Sequence, residues 1–195
     1  EIDIPRGQKL KRINAAISAI VGCGADDASA LLLAGTLVPE YRQLVAHEGR
    51  RAEIAMVSHP FIYPATKALP EGVRITYDSH NTEHTLKQKL YRPGILARFL
   101  CNRIRAAEIA SLRTSQTAFC VSRENRDDLL RLVPDAAHRL FVTPNGVDTR
   151  HIRVRPTTER HRLRTEVGIH HQHVAIFLGS GHPPNAEAAR IIRDD

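Results

Sequence analysis

The hydrophobic and polar positions change period several times along the chain. Apolar residues recur at helical spacing over 8–22 and 27–48, which predicts two helices. Short apolar runs that end in polar or glycine positions predict strands at 53–57, 74–78, 117–121, 139–143 and 173–178. Helical patterns separate these runs at 64–69, from about 82 to Ser115, at 123–132 and at 161–168. Pro93-Gly94 breaks the second of these helices, and Ser122 is the expected N-cap of the third.

Strands that alternate with helices predict an α/β fold with a parallel sheet and right-handed crossovers. Four of the predicted strands precede a polar, Arg-rich stretch at 148–160, and one follows it. The simplest interpretation is the later part of a doubly wound, Rossmann-like domain over 1–147, an interdomain linker over 148–160, and the first β-α unit of a second such domain over 161–195.

Composition narrows the class of protein. The 195 residues carry a net charge of +7 with only 5% aromatic residues, a balance that fits phosphorylated ligands or anionic membranes better than a nucleic-acid module. The three cysteines are widely spaced, which argues against a disulfide framework and against a zinc site and fits a reducing cytoplasm. The sequence contains no apolar run of about 18 residues, so we expect no membrane-spanning helix.

Polar residues gather where the predicted strands end. They are His59, Asp78 to Asn81, Ser122, Asn145, and Gly179 to Asn185. Ligands of open α/β sheets bind outside the carboxyl ends of the strands. The ends of the predicted strands are therefore the expected place for a binding site, although polar loops alone would give part of this pattern.

Several of these segments, taken in order, resemble the family-four glycosyltransferases. The segments are Tyr77-Asp78-Ser79-His80-Asn81-Thr82-Glu83, a helix that carries Glu108, Ala118 to Ser122, Val142-Thr143-Pro144-Asn145-Gly146-Val147-Asp148, and Phe177 to Ser180 with Pro184-Asn185. The resemblance covers roughly residues 53–195. It implies the GT-B fold, in which two Rossmann-like domains face each other across a cleft.

The resemblance also implies an activity. Such enzymes move a sugar from a nucleotide sugar, such as a UDP- or GDP-sugar, to an acceptor, here a cell-surface polysaccharide or glycolipid precursor. The amino-terminal domain holds the acceptor, the second domain holds the nucleotide, and no metal cofactor is needed. The family's glycine-rich first loop and its pair of glutamates are not in this sequence, so we expect an internal part of a larger enzyme that is inactive alone.

By the same resemblance His80 is expected to be the catalytic or substrate-binding residue, and its imidazole is suited to proton transfer near neutral pH. The other interpretation is that Asp78 to His80 form a turn that only caps the next helix. Asp78, Asn81 and Glu83 are expected either to orient His80 and contact the acceptor or merely to cap the next helix. Glu108, in the middle of its helix, is expected to be the structural partner of a basic group.

Five residues are expected on the donor side. Gly179 and Ser180 would let the backbone approach the donor diphosphate, and Asn185 would cap the following helix and so build a phosphate site. Asn145 and Gly146 are expected to form a tight turn near the cleft, with glycine supplying a positive φ.

The segment from Leu86 to Ala107 contains no acid and interleaves apolar with basic residues. This pattern suits the surface of an anionic membrane, at the cytoplasmic face. The basic residues expected there are Lys87, Lys89, Arg92, Arg98 and Arg103. The other interpretation is an ordinary helix pair with a solvated basic face.

Two other functions are compatible with the same sequence. One is another GT-B enzyme, such as a nucleotide-sugar epimerase. The other is a non-catalytic, basic α/β module that binds a membrane or nucleic acid.

Overall fold

A computed structural model gives the structure of residues 7–171, 173–179 and 183–194, with backbone only for 34–37 and 183–184. The chain divides into two compact units, Glu1–Gly146 and Val147–Asp195. Each unit is described by itself.

The first unit contains a parallel sheet. Its strands are β1 (Ile54–Ser58), β2 (Arg74–Ser79), β3 (Thr117–Cys120) and β4 (Leu140–Val142). They pair in chain order and all run in the same direction, which confirms the α/β class and four of the predicted strands. The described part contains no reversal of strand order, the feature that defines the switch point of a doubly wound sheet.

Helices precede and connect the strands. They are α1 (Gln8–Val21), α2 (Asp26–Leu37), α3 (Pro39–Gly49), a 3-10 helix (Pro60–Ala68), α4 (Glu83–Leu90), α5 (Ile95–Thr114), α6 (Arg123–Leu132) and a second 3-10 helix (Pro134–His138). The prediction of one helix over 27–48 was wrong, because Pro39 has no N–H to donate and disfavours helical backbone at Val38, so a new helix begins there.

The two faces of the sheet differ in burial. Val57, Tyr77, Ala118 and Leu140 lie side by side in register and are buried against the connecting helices. The opposite face carries Ile54, Met56 and Phe141, which are more than half exposed. A second apolar cluster lies between helices, with members from α1, α2, the first 3-10 helix and α5. The carboxyl end of β1 leads into this helical cluster, since Phe61 belongs to it and lies three residues after the strand.

The second unit contains α7 (Thr157–Glu166) and α8 (Pro183–Asp194). The predicted strand at 173–178 was wrong: residues 173–179 form no strand, and Ile176 and Leu178 are 78% and 89% exposed. A strand needs a neighbour for its backbone hydrogen bonds, and the described part of this unit offers none.

Among the described helices, none has the length and hydrophobicity that a bilayer crossing requires.

Candidate functional site

A buried carboxylate fixes the segment that follows β2. Glu108, on α5, is fully buried and accepts the backbone N–H groups of Glu83 at 2.5 Å and His84 at 3.2 Å. It also lies 2.6 Å from Nδ1 of His84. These N–H groups belong to the first turn of α4, where an N-cap side chain would normally bind them. Thr82 precedes the helix but makes no side-chain cap, because Glu108 takes that role from another helix.

His80 is the first residue of this segment and is paired with Asp78. Its Nε2 lies 3.0 Å from Oδ2 of Asp78, and about half of the imidazole is exposed. Asp78 is the fifth residue of β2, so the strand itself sets the position of the carboxylate. An ionised carboxylate only accepts hydrogen bonds, so Nε2 carries the proton of the neutral ring and Nδ1 is left as the acceptor nitrogen.

A second imidazole–carboxylate pair lies beside the first. Nδ1 of His59, directly after β1, is 3.2 Å from Oε1 of Glu83, whose side chain is only 5% exposed. His59 has φ 71° and ψ 146°, a region that residues with a side chain rarely occupy. The extended ψ is the one that Pro60 imposes on the residue before it. A backbone N–H bond from His59 to the carbonyl of Asp78 holds this conformation.

The two imidazoles stack on each other. Their ring centroids are 4.6 Å apart with an interplanar angle of 27°. The hydrogen bond to Glu83 raises the pKa of His59 above its usual value, burial acts in the opposite direction, and the charges of Glu83, Asp27 and Asp78 add to the increase. Lys87 pairs with Asp27 at 3.2 Å and lies over the ring of Phe61.

This arrangement is suited to binding a hydroxyl group and to accepting or donating its proton. Each imidazole keeps one nitrogen on a carboxylate and has a second nitrogen for a ligand, as a base or an acid. Within the described residues, no group of three or more His, Cys, Asp or Glu side chains is placed to hold a metal ion.

The predicted acceptor-side residues make different contacts. Asp78 contacts His80, but Glu83 contacts His59 instead and is buried. Asn81 is exposed, and its carbonyl accepts the hydroxyl of Ser79 at 2.8 Å. His59 was not among the predicted site residues, although its place at a strand end was the available signal. The expected partner of Glu108 was a basic group; His84 contacts it, but backbone N–H groups of α4 do so as well.

Two of the predicted donor-side residues, Asn145 and Gly146, belong to the first unit. Asn145 and Gly146 are exposed and form no turn, and Gly146 does not have a positive φ, so that prediction was wrong. The turn forms after Asp148, whose carboxylate accepts the N–H of Arg150 at 2.9 Å.

Gly179 and Asn185 meet within the second unit. A Cβ on Gly179 would come 2.9 Å from Cβ of Asn185, so a side chain there would clash. Asn185 is the third residue of α8 rather than its N-cap, because the helix already begins at Pro183, where proline is well tolerated. Ser180 lies outside the described residues.

The basic stretch divides into an inner and an outer part. Lys87 is only 8% exposed and pairs with Asp27, whose side chain is about half exposed, so the prediction of Lys87 as a membrane-surface residue was wrong. The remaining four predicted cations are exposed: Lys89, Arg92, Arg98 and Arg103.

No protein-family model, curated protein or solved structure matches the chain.

Proposed function

We propose that this chain forms the acceptor-side part of a glycosyltransferase, an enzyme that moves a sugar from a nucleotide sugar to a hydroxyl group of an acceptor. The observation that carries the proposal is the stacking of two imidazole–carboxylate pairs, His80–Asp78 and His59–Glu83, at the carboxyl ends of neighbouring parallel strands. The resemblance of residues 77–83 and 142–148 to family-four glycosyltransferases supports the same class of reaction, with the GT-B fold as the expected whole.

The geometry suits the acceptor hydroxyl. In the proposed reaction the acceptor oxygen bonds to the anomeric carbon while the bond from that carbon to the diphosphate oxygen breaks. The hydroxyl proton passes to Nδ1 of His80, the ring nitrogen that does not face Asp78. Asp78 keeps the ring in the tautomer that accepts this proton and stabilises the imidazolium that results.

His59 has a supporting role in this proposal. It stacks on His80 and, through Glu83, connects the site to the first turn of α4. Its strained backbone fits a functional position, because a residue in a rare conformation persists only where its surroundings hold it. The nucleotide would bind apart from this pair of histidines, and Gly179, Ser180 and Asn185 stay proposals for that role, together with Asn145 and Gly146.

The test uses the protein as its native source produces it. Purified protein is incubated with a panel of UDP- and GDP-sugars, with and without candidate carbohydrate or lipid-linked acceptors, and the release of nucleoside diphosphate is measured. We expect release with at least one donor and a loss of about tenfold or more in turnover for His80→Ala, the lower range for a proton-transfer residue. Asp78→Asn should have an effect of similar size.

A matched control is His47→Ala, because His47 is an exposed histidine on α3. Its turnover should equal that of the unsubstituted protein. If no sugar nucleotide is cleaved, the proposal fails. If cleavage occurs but His80→Ala turns over normally, His80 does not belong to the active site.

A further inference from the structure

Three apolar side chains project into solvent where α4 ends and α5 begins. Leu90 is 41% exposed, Ile95 87% and Phe99 49%. Ile95 and Phe99 are four residues apart on α5 and therefore share one side of the helix. Leu100 and Ile104 of the same helix are fully buried in the helical cluster, so α5 holds these exposed side chains on a rigid support.

Basic side chains lie on the same segment as these apolar ones. Arg92, Arg98 and Arg103 are all exposed. Residues 84–107 contain no acid, and the two acids that bracket this range, Glu83 and Glu108, are 4% and 0% exposed and bonded inside the protein. The cationic side chains of this surface therefore have no acidic neighbour on their own segment.

An anionic bilayer fits this combination better than a nucleic acid does. A lipid headgroup region offers phosphates to arginines and, just beneath them, an apolar layer for aliphatic and aromatic side chains. A nucleic acid offers phosphates and base faces, which leave aliphatic Leu90 and Ile95 without a matching surface. Single exposed apolar residues are common on proteins, but three on one short segment that also carries exposed arginines and no acid are a different feature.

We infer that the α4–α5 surface, formed by Leu90, Arg92, Ile95, Arg98, Phe99 and Arg103, binds the surface of an anionic phospholipid bilayer, with its apolar side chains in the headgroup layer. This inference does not depend on the proposed activity. The same surface would bind a membrane if the chain were a non-catalytic binding protein.

The test is co-flotation of the full-length protein with vesicles, followed by measurement of the bound fraction. One set of vesicles is phosphatidylcholine alone, and the other contains equal parts phosphatidylcholine and phosphatidylglycerol. We expect binding only to the second set, with weakening as salt is raised. Ile95→Ser with Phe99→Ser should abolish it. Arg98→Glu with Arg103→Glu should lower the partition coefficient about 25-fold or more, since each basic residue near such a surface contributes about fivefold.

The control variant is Arg50→Glu with Arg51→Glu, which reverses two exposed charges at the end of α3 and should bind as the unsubstituted protein does. Circular dichroism checks that every variant is folded, which the exposure of the substituted side chains favours. The inference would be overturned if the protein did not bind anionic vesicles, or if the Ile95/Phe99 variant bound them fully. It would also be overturned if the protein bound RNA or DNA in a salt-sensitive way instead of vesicles, and the Ile95/Phe99 variant still bound the nucleic acid. Because vesicle binding and nucleotide-sugar cleavage are measured separately, either proposal can fail alone.

Discussion

The carboxylate of Glu108 lies 2.6 Å from Nδ1 of His84, inside the protein and 24 residues away along the chain. The same carboxylate accepts two backbone N–H groups of α4, so one side chain of α5 positions the segment that carries His80. We expect Glu108→Ala to lower the free energy of unfolding by about 3 kcal/mol or more, because it leaves buried donors without an acceptor. Urea unfolding of the full chain measures this.

Glu108→Gln removes the negative charge of the side chain but keeps its shape, so it shows how much of the stabilisation depends on the charge. Its amide oxygen can still accept one N–H, so we expect a smaller loss of about 1–2 kcal/mol. If Glu108→Ala unfolds at the same urea concentration as the unsubstituted protein, Glu108 does not hold α4 in place.

Ser122 caps α6, as the sequence predicted. Its Oγ accepts the backbone N–H of Asn125 at 3.1 Å, and the residue itself has extended backbone. Ser122→Ala should lower the free energy of unfolding by about 1 kcal/mol, whereas Ser122→Asp should keep the cap and favour the helix dipole. Thermal unfolding of both variants checks this, and equal melting temperatures for the two would contradict it.

Gly49, the last residue of α3, is needed for close packing. A Cβ there would lie 2.8 Å from Cδ of Pro70 and 3.0 Å from Cδ2 of Leu69, and the ring of Pro70 cannot rotate away. Gly49→Ala should therefore lower the free energy of unfolding by about 1–3 kcal/mol. The control is Gly24→Ala, where a Cβ would meet nothing within 4 Å and the change should be about 0.5 kcal/mol or less. Equal urea midpoints for the two variants would remove the packing argument.

Much of the first unit could be predicted from local patterns. Short apolar runs and their polar ends located all four strands, and Ser122 located the start of α6, because both signals lie within a few residues. The run at 173–178 has the same apolar pattern but no partner strand in the described part of its unit, so pattern alone did not decide its structure. Asn145-Gly146 has the composition of a turn, yet the turn forms three residues later, where Asp148 bonds to the backbone.

Only part of the candidate site could be predicted from residues that are close together in the sequence. His80 and Asp78 are two residues apart, and their proximity follows from β2 alone. The other pair joins residues 24 positions apart and depends on the register of the sheet, which places Ser58 beside Asp78 and so brings His59 to the same edge. That register could not be read from the sequence, and neither could the inward direction of Lys87, which its pair with Asp27 determines.

The stacked pair makes the protonation of His59 a measurable property of the site. Its pKa is raised chiefly by the hydrogen bond to Glu83, so the folded protein binds this proton more tightly than the unfolded chain does. The contribution of His59 to the free energy of unfolding is then fully present below the unfolded pKa of about 6.5 and is lost as pH rises through the raised value. The charged and titratable groups around it are Glu83, Asp27, Asp78, His80 and Lys87.

A histidine titration followed by NMR in the full-length protein tests this, with the His59 signal assigned from its loss in His59→Gln. We expect a midpoint above about 6.5 and a fall of that midpoint in Glu83→Gln, which keeps the side-chain shape but removes the charge. Asp135→Asn, an exposed change on the second 3-10 helix, should leave the midpoint where it is. If Glu83→Gln leaves the His59 midpoint unchanged, the second pair does not exist in solution, and His59 cannot support His80 through Glu83.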